Sequence, residues 1–235
     1  MILVLLDTNA YLRLAKRIRP LLGVGFGQKQ YSLTVLKQVE DEVLKSPRLQ
    51  YLYPWFTDGN LDAERIAKQV RLGKQERTQI EAAASVLRAH VLSDPLGYTS
   101  LGRSPPSPTD CFILAFGQVR PAIVVTDDLG MHKLAADFDI KIWHGHELLK
   151  KMLAAKAVTS DLVREIFAAL ENNNDLPRTW QEVKHSGFKK LKQKVPESNS
   201  FLLCSLPSSC NNNPTPTNGN ILVDMRNATL YSVTP

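Results

Sequence analysis

Carboxylates stand at three widely separated places in this chain. Asp7 lies in Leu6-Asp7-Thr8-Asn9, Asp110 in Ser107-Pro108-Thr109-Asp110, and the pair Asp127-Asp128 closes Val124-Val125-Thr126. Carboxylates that converge in one cleft repel one another, which raises the pKa of some of them. A bound divalent cation removes that penalty. Ligands that are all oxygen suit Mg²⁺ or Mn²⁺ rather than zinc. The chemistry this suggests is hydrolysis of a phosphodiester. The cation would lower the pKa of a water nucleophile and neutralise charge on the phosphate, and a second cation could stabilise the leaving oxygen. Each acid also reads as a helix cap. Asp7 can cap a helix at Tyr11–Arg19, and Asp127 or Asp128 one that starts at Leu129. Asp110 fits a capping box, with Ser107 as N-cap and Pro108 at the first helical position. The two readings are compatible, since a carboxylate at a helix start can also ligate a metal.

The elements that would carry these acids follow from the apolar pattern. Ile2–Leu6 and Ala122–Thr126 are continuously apolar until their ends, as strands covered on both faces are. Tyr31–Leu33 and Ile140–Trp143 are further strand candidates. Helical patterns run over Leu12–Leu22, Val35–Leu44, Leu61–Leu92 with Gly73 as a break, Asp110–Gln118, Leu129–Phe138, Glu147–Ala157 and Ser160–Glu171. Ser93–Pro108, rich in Pro, Gly and Ser, reads as loop. Strand and helix alternating at this spacing predict an α/β domain with a parallel sheet. Ligands of such sheets sit beyond the carboxyl ends of the strands. Asp7 and Asp127-Asp128 should therefore face one crevice if their strands are neighbours.

Composition bounds the answer further. The 235 residues are 43% hydrophobic and 22% charged, which excludes a fully disordered or fibrous chain. No apolar run reaches the roughly 18 residues of a membrane-spanning helix. The start reads as a strand rather than a secretory leader. Three cysteines, Cys111, Cys204 and Cys210, have no metal-type spacing, so reduced thiols and a cytoplasmic setting are expected. The net charge of +6 favours association with polyanions, RNA above all. Arg178–Lys194 is strongly basic and includes Lys189 and Lys190. It reads either as a phosphate-contacting extension or as a solvated helix. Arg13, Lys16 and Arg17 offer a second basic patch near Asp7. From 196 to 235 charge nearly vanishes, and Asn, Ser, Pro and Thr fill more than half of the positions, so a disordered tail is expected.

Three stretches together resemble the PIN-domain ribonucleases, VapC-like or related bacterial proteins. Leu3-Val4-Leu5-Leu6-Asp7-Thr8-Asn9 is similar to the family's opening. Asp110-Cys111-Phe112-Ile113-Leu114-Ala115 is similar to its third acidic motif, and Val124-Val125-Thr126-Asp127-Asp128-Leu129 with Lys133-Leu134-Ala135 to its fourth. The resemblance implies a PIN-like α/β fold over 1–150, a three-layer sandwich with a central parallel sheet. A helical basic extension (151–195) and the disordered tail (196–235) would follow. It implies a hydrolase, an endoribonuclease that cuts single-stranded RNA with Mg²⁺ or Mn²⁺ held by Asp7, Asp110 and Asp128. The family's second motif places Glu where Gln38 stands here. Glu42, one turn on and on the same face, can supply that acid, with Asp41 a weaker candidate. Thr8 and Asn9 would orient Asp7 or bind phosphate, Thr126 matches the family's Ser/Thr, and Asp127 is an extra acid that can ligate or bond to water. The setting that the resemblance implies is a toxin–antitoxin pair, with an antitoxin or other protein partner, or a stand-alone role in RNA processing. A homodimer is left open, and no membrane partner is expected. The alternative is a catalytically weak PIN-like module that binds RNA or protein, which Gln38 supports.

Other signals weigh less. Gly23-Val24-Gly25-Phe26-Gly27 lacks the third glycine of a dinucleotide loop and reads as a flexible loop. His144-x-His146 has no evident third ligand. Tyr51, Tyr53, Trp55 and Phe56 read as a packing cluster, and Cys111 as a small core residue.

Overall fold

The computed structural model describes residues 1–99, 104–184 and 188. They lie in one unit, within Met1–Gln193. Lys189, Lys190, Cys204, Cys210 and the tail expected to be disordered lie outside the described residues.

Five strands form the sheet: β1 (Ile2–Leu6), β2 (Gly25–Phe26), β3 (Tyr31–Thr34), β4 (Ala122–Val125) and β5 (Ile142–Trp143). Their order is β2-β3-β1-β4-β5. β1 runs parallel to β3 and β4, β4 runs parallel to β5, and β2 is an antiparallel edge. The chain is thus α/β with a central parallel sheet flanked by helices. The register matters most here. Leu5 stands opposite Thr34 on one side and Val124 on the other, and Leu6 opposite Val125. Three parallel strands therefore end level, and Asp7 emerges beside Thr126. Val4, Leu5, Leu6, Val124 and Val125 are wholly buried, as strands covered on both faces require.

Eleven α-helices follow among the described residues: α1 (Thr8–Leu14), α2 (Lys37–Lys45), α3 (Pro47–Leu52), α4 (Gly59–Lys68), α5 (Lys74–Ser93), α6 (Pro95–Thr99), α7 (Pro108–Val119), α8 (Leu129–Asp137), α9 (Gly145–Ala154), α10 (Ser160–Asn172) and α11 (Arg178–Lys184). α5 packs along α7, which packs on β4; α1 meets α2 and α10; α9 meets α10 and α11. None of the described helices is long and apolar enough to cross a membrane.

Several elements differ from the sequence expectation. The helix expected over Leu12–Leu22 starts earlier, because Asp7 caps it, and ends at Leu14. The Leu61–Leu92 pattern, by contrast, is split into two helices at Gly73 as expected, with Gly73 as the N-cap of the second. The Gly23–Gly27 stretch is no free loop: Gly25 and Phe26 pair with Ser32 and Tyr31 as β2. Gly23 and Gly27 take positive φ, which glycine adopts without steric cost. The Ser93–Pro108 stretch contains α6.

The helices beyond residue 154 are bound into the core. Trp180 of α11 is 1% exposed and packs against Phe167 of α10 at 5.2 Å between ring centroids. Its indole Nε1 donates to Asp127 Oδ1 at 2.9 Å. Gly145 makes room for it, since a Cβ there would come within 2.7 Å of the ring. Trp180→Ala should cost about 3–5 kcal/mol, the usual loss for a buried aromatic. Urea unfolding measures this, and an unchanged midpoint would show that α11 is not part of the folded core.

Candidate active site

Asp7 is the N-cap of α1, at the end of the central strand, and is 4% exposed. Its Oδ1 accepts from the Ala10 N–H at 2.5 Å, and its Oδ2 accepts from the Thr126 hydroxyl at 2.5 Å. The Thr126 oxygen in turn accepts from the Asp128 N–H at 3.1 Å. One buried threonine, at the end of β4, therefore links the first acid to the backbone of the last. Burial pushes Asp7 up to about 7 from the usual 3.8; the Thr126 and Ala10 bonds pull it down, and the nearby charge of Asp127 pushes it up again.

Asp128 caps α8 through its Oδ1, which accepts from the Met131 N–H at 2.9 Å. Asp110 closes the capping box of α7: its Oδ2 accepts from the Ser107 N–H, and Ser107 Oγ accepts from the Asp110 N–H. Burial raises the Asp110 pKa, the Ser107 bonds lower it, and the charges of Asp128 and Glu42 raise it further. Glu42 of α2 is exposed, but its Oε2 accepts from the Thr8 hydroxyl at 2.6 Å. Thr8 thereby ties Glu42 to the residue next to Asp7. Gln38 is half-buried on the same helix and lines a groove with Asp41, Gln69, Val70 and Arg77. Asn9 is exposed at the second position of α1.

Asp127 is held by several partners inside the protein. Its Oδ2 takes the Arg13 guanidinium at 3.2 Å, and its Oδ1 accepts from Gly145 N–H at 3.0 Å and from Trp180 Nε1. Burial raises its pKa, but these partners and His144 outweigh burial and hold the carboxyl below its ordinary value. Arg13, expected in an exposed basic patch, is 8% exposed and also pairs with Asp175 at 2.9 Å. Its charge is committed to two carboxylates, buried Asp127 and half-buried Asp175. Lys16 is exposed and Arg17 half-buried beside it.

The histidines also differ from expectation, because the structure brings Asp127 beside them. Donor atoms of Asp127, His144 and His146 lie within 4.8 Å of one another. Among the described residues this is the trio so arranged, and it does not include Asp7, Asp110 or Asp128. Sequence spacing could not reveal it, since Asp127 and His144 are brought together only by the pairing of β4 with β5. The oxygen-only set around Asp7 still fits a hard cation in kind, because Mg²⁺ keeps several of its waters and meets carboxylates partly through them.

No family model matches the chain, and no curated protein does. Among solved structures it is similar to the crystal structure of FitAcB from Neisseria gonorrhoeae, at 14% identity and a TM-score of 0.36, over 60% of this chain and 97% of that one.

A buried acid with a raised pKa binds its proton more tightly folded than unfolded, so it lowers stability as pH rises from about 4 to 7. Asp7→Asn removes that dependence. Without metal, the variant should melt above the native protein at pH 8, by more than the roughly 2–4 °C that 1 kcal/mol produces in a domain of this size. The gap should shrink at pH 5. Melting curves at the two pH values test this, and a gap that does not change with pH would contradict it.

Proposed function

We propose that the chain is a metal-dependent endoribonuclease of the PIN type that hydrolyses phosphodiester bonds in single-stranded RNA. The observation that carries this reading is a carboxylate, Asp7, buried at the end of the central strand and coupled through Thr126 to Asp128. Such a group is costly for folding alone and useful for holding a cation. Asp7, Asp110 and Asp128 would hold Mg²⁺ or Mn²⁺, and Glu42, steadied by Thr8, would complete the set in place of Gln38. The bound ion would supply a lowered pKa for the attacking water and neutralise charge on the phosphate.

The chain's own residues have these roles. Thr126 fixes the orientation of the Asp7 carboxylate through its hydroxyl and of Asp128 through its backbone. The N-terminus of α1 supplies the Ala10 N–H to Asp7, and the helix dipole favours negative charge there. Asn9, exposed at the mouth, would contact phosphate, with Lys16 and Arg17 on the flank. The surplus of positive charge would draw RNA toward the crevice.

Gln38 favours a second reading, a module that binds RNA or a protein without cutting, because an amide adds no charge at the position where the family carries Glu. One experiment separates them: labelled single-stranded RNA incubated with Mn²⁺ or with chelator. The enzyme predicts cleavage only with metal, lowered about 10²-fold or more in Asp7→Asn and Asp128→Asn, as for loss of one charge-stabilising group. Tight binding without cleavage means the module, and cleavage that survives chelation overturns the metal reading.

A further inference from the structure

Three imidazoles stack at the start of α9. The rings of His132 and His144 lie 3.8 Å apart at 15°, and those of His144 and His146 5.2 Å apart at 13°. Nδ1 of His144 and Nδ1 of His146 are both buried, and that of His146 has no hydrogen-bond partner. A buried polar atom left without a partner destabilises the fold, so this nitrogen, next to His144 and Asp127, calls for an occupant. Asp127 Oδ1 lies 3.7 Å from His144 Nδ1, too long for a hydrogen bond. That separation is near the ~3.3 Å edge of a tetrahedron with bonds of about 2.0–2.1 Å.

We propose that Asp127, His144 and His146 form a site for a zinc-class transition metal ion, held by two imidazole nitrogens and one carboxylate oxygen. The donor set decides the class of ion. Imidazole suits Zn²⁺, Co²⁺, Ni²⁺ or Cu²⁺, whereas the oxygen-only set at Asp7 suits Mg²⁺ or Mn²⁺. The surroundings also resemble a second shell, which orients ligands at metal sites. Arg13 holds Asp127 through the other oxygen, Oδ2, and Gly145 N–H and Trp180 Nε1 fix the Oδ1 side. His132 stacks on His144 while its own Nε2 is 3.0 Å from the Thr126 carbonyl, which takes that nitrogen out of the ligand set. The fourth position is left to water. The ion would clamp the turn after β4 to the start of α9, and through Asp127 to α11. Its role is structural and separate from cleavage, so it does not depend on the nuclease reading.

The test uses the full chain, stripped with chelator and titrated with Co²⁺ and then Zn²⁺. The expected result is one Co²⁺ per chain with visible absorption of the tetrahedral kind, displaced by Zn²⁺, and a melting temperature raised by Zn²⁺. His144→Gln and His146→Gln should each weaken binding more than about tenfold, since even second-shell changes cost 10–100-fold. Asp7→Asn and Asp110→Asn should leave the titration intact. Circular dichroism of each variant confirms folding, and the two histidine variants serve as checks on each other. The proposal is overturned if the native chain gives neither tetrahedral absorption nor a melting shift. Binding that survives in a folded histidine variant, or that is lost in Asp7→Asn, overturns it equally.

Discussion

A carboxylate is buried at the end of the central strand, and the rest of the molecule is arranged around that cost. Asp7 follows β1 directly because the strand is apolar to its last residue, and with β1, β3 and β4 ending level it is left only 4% exposed. Its two oxygens are met by the first turn of α1 and by Thr126, yet burial still holds its pKa near neutrality. A helix cap needs only an exposed acid, and Ser, Thr or Asn would cap α1 as well. Burial with other acids near is what capping alone leaves unexplained.

The adjacent aspartates 127 and 128 show how neighbours in sequence divide labour. Asp128 turns to the start of α8 and, through its N–H, to Thr126. Asp127 turns the other way, where Arg13, Gly145 and Trp180 give it enough partners to stay ionised although buried. Arg13 continues the chain of charges to Asp175, in the segment between α10 and α11. The helices after residue 154 are thus connected to the strand ends by charge and hydrogen bonds as well as by packing. Their contact with Asp127 is also felt at Asp7, whose pKa responds to both Asp127 and Arg13.

Much of this was legible in the sequence. The two central strands stood out because they are apolar without interruption, and Asp7, Asp110 and Asp128 because each stands where a strand ends or a helix opens. The Ser107–Asp110 capping box and the buried Cys111 were readable from local pattern alone. What failed did so for physical reasons. β2 is two residues long and exists by pairing with β3, so no periodicity announces it. Arg13 resembled a surface cation because its partners, Asp127 and Asp175, are 114 and 162 residues away. The Asp127-His144-His146 trio was hidden for the same reason. Glu42 could be suspected from i, i+4 spacing, but its tie to Thr8 depends on how α2 sits against α1.

The most direct measurement is an NMR titration of the Asp7 side-chain carboxyl carbon in metal-free protein, repeated with Mg²⁺. A midpoint of about 7 is expected without metal. A clear downward shift is expected when the ion is present, because a cation at this site favours the charged form. A midpoint near the ordinary 3.8, unmoved by Mg²⁺, would mean that Asp7 is a solvated helix cap and that the crevice has no need of a cation.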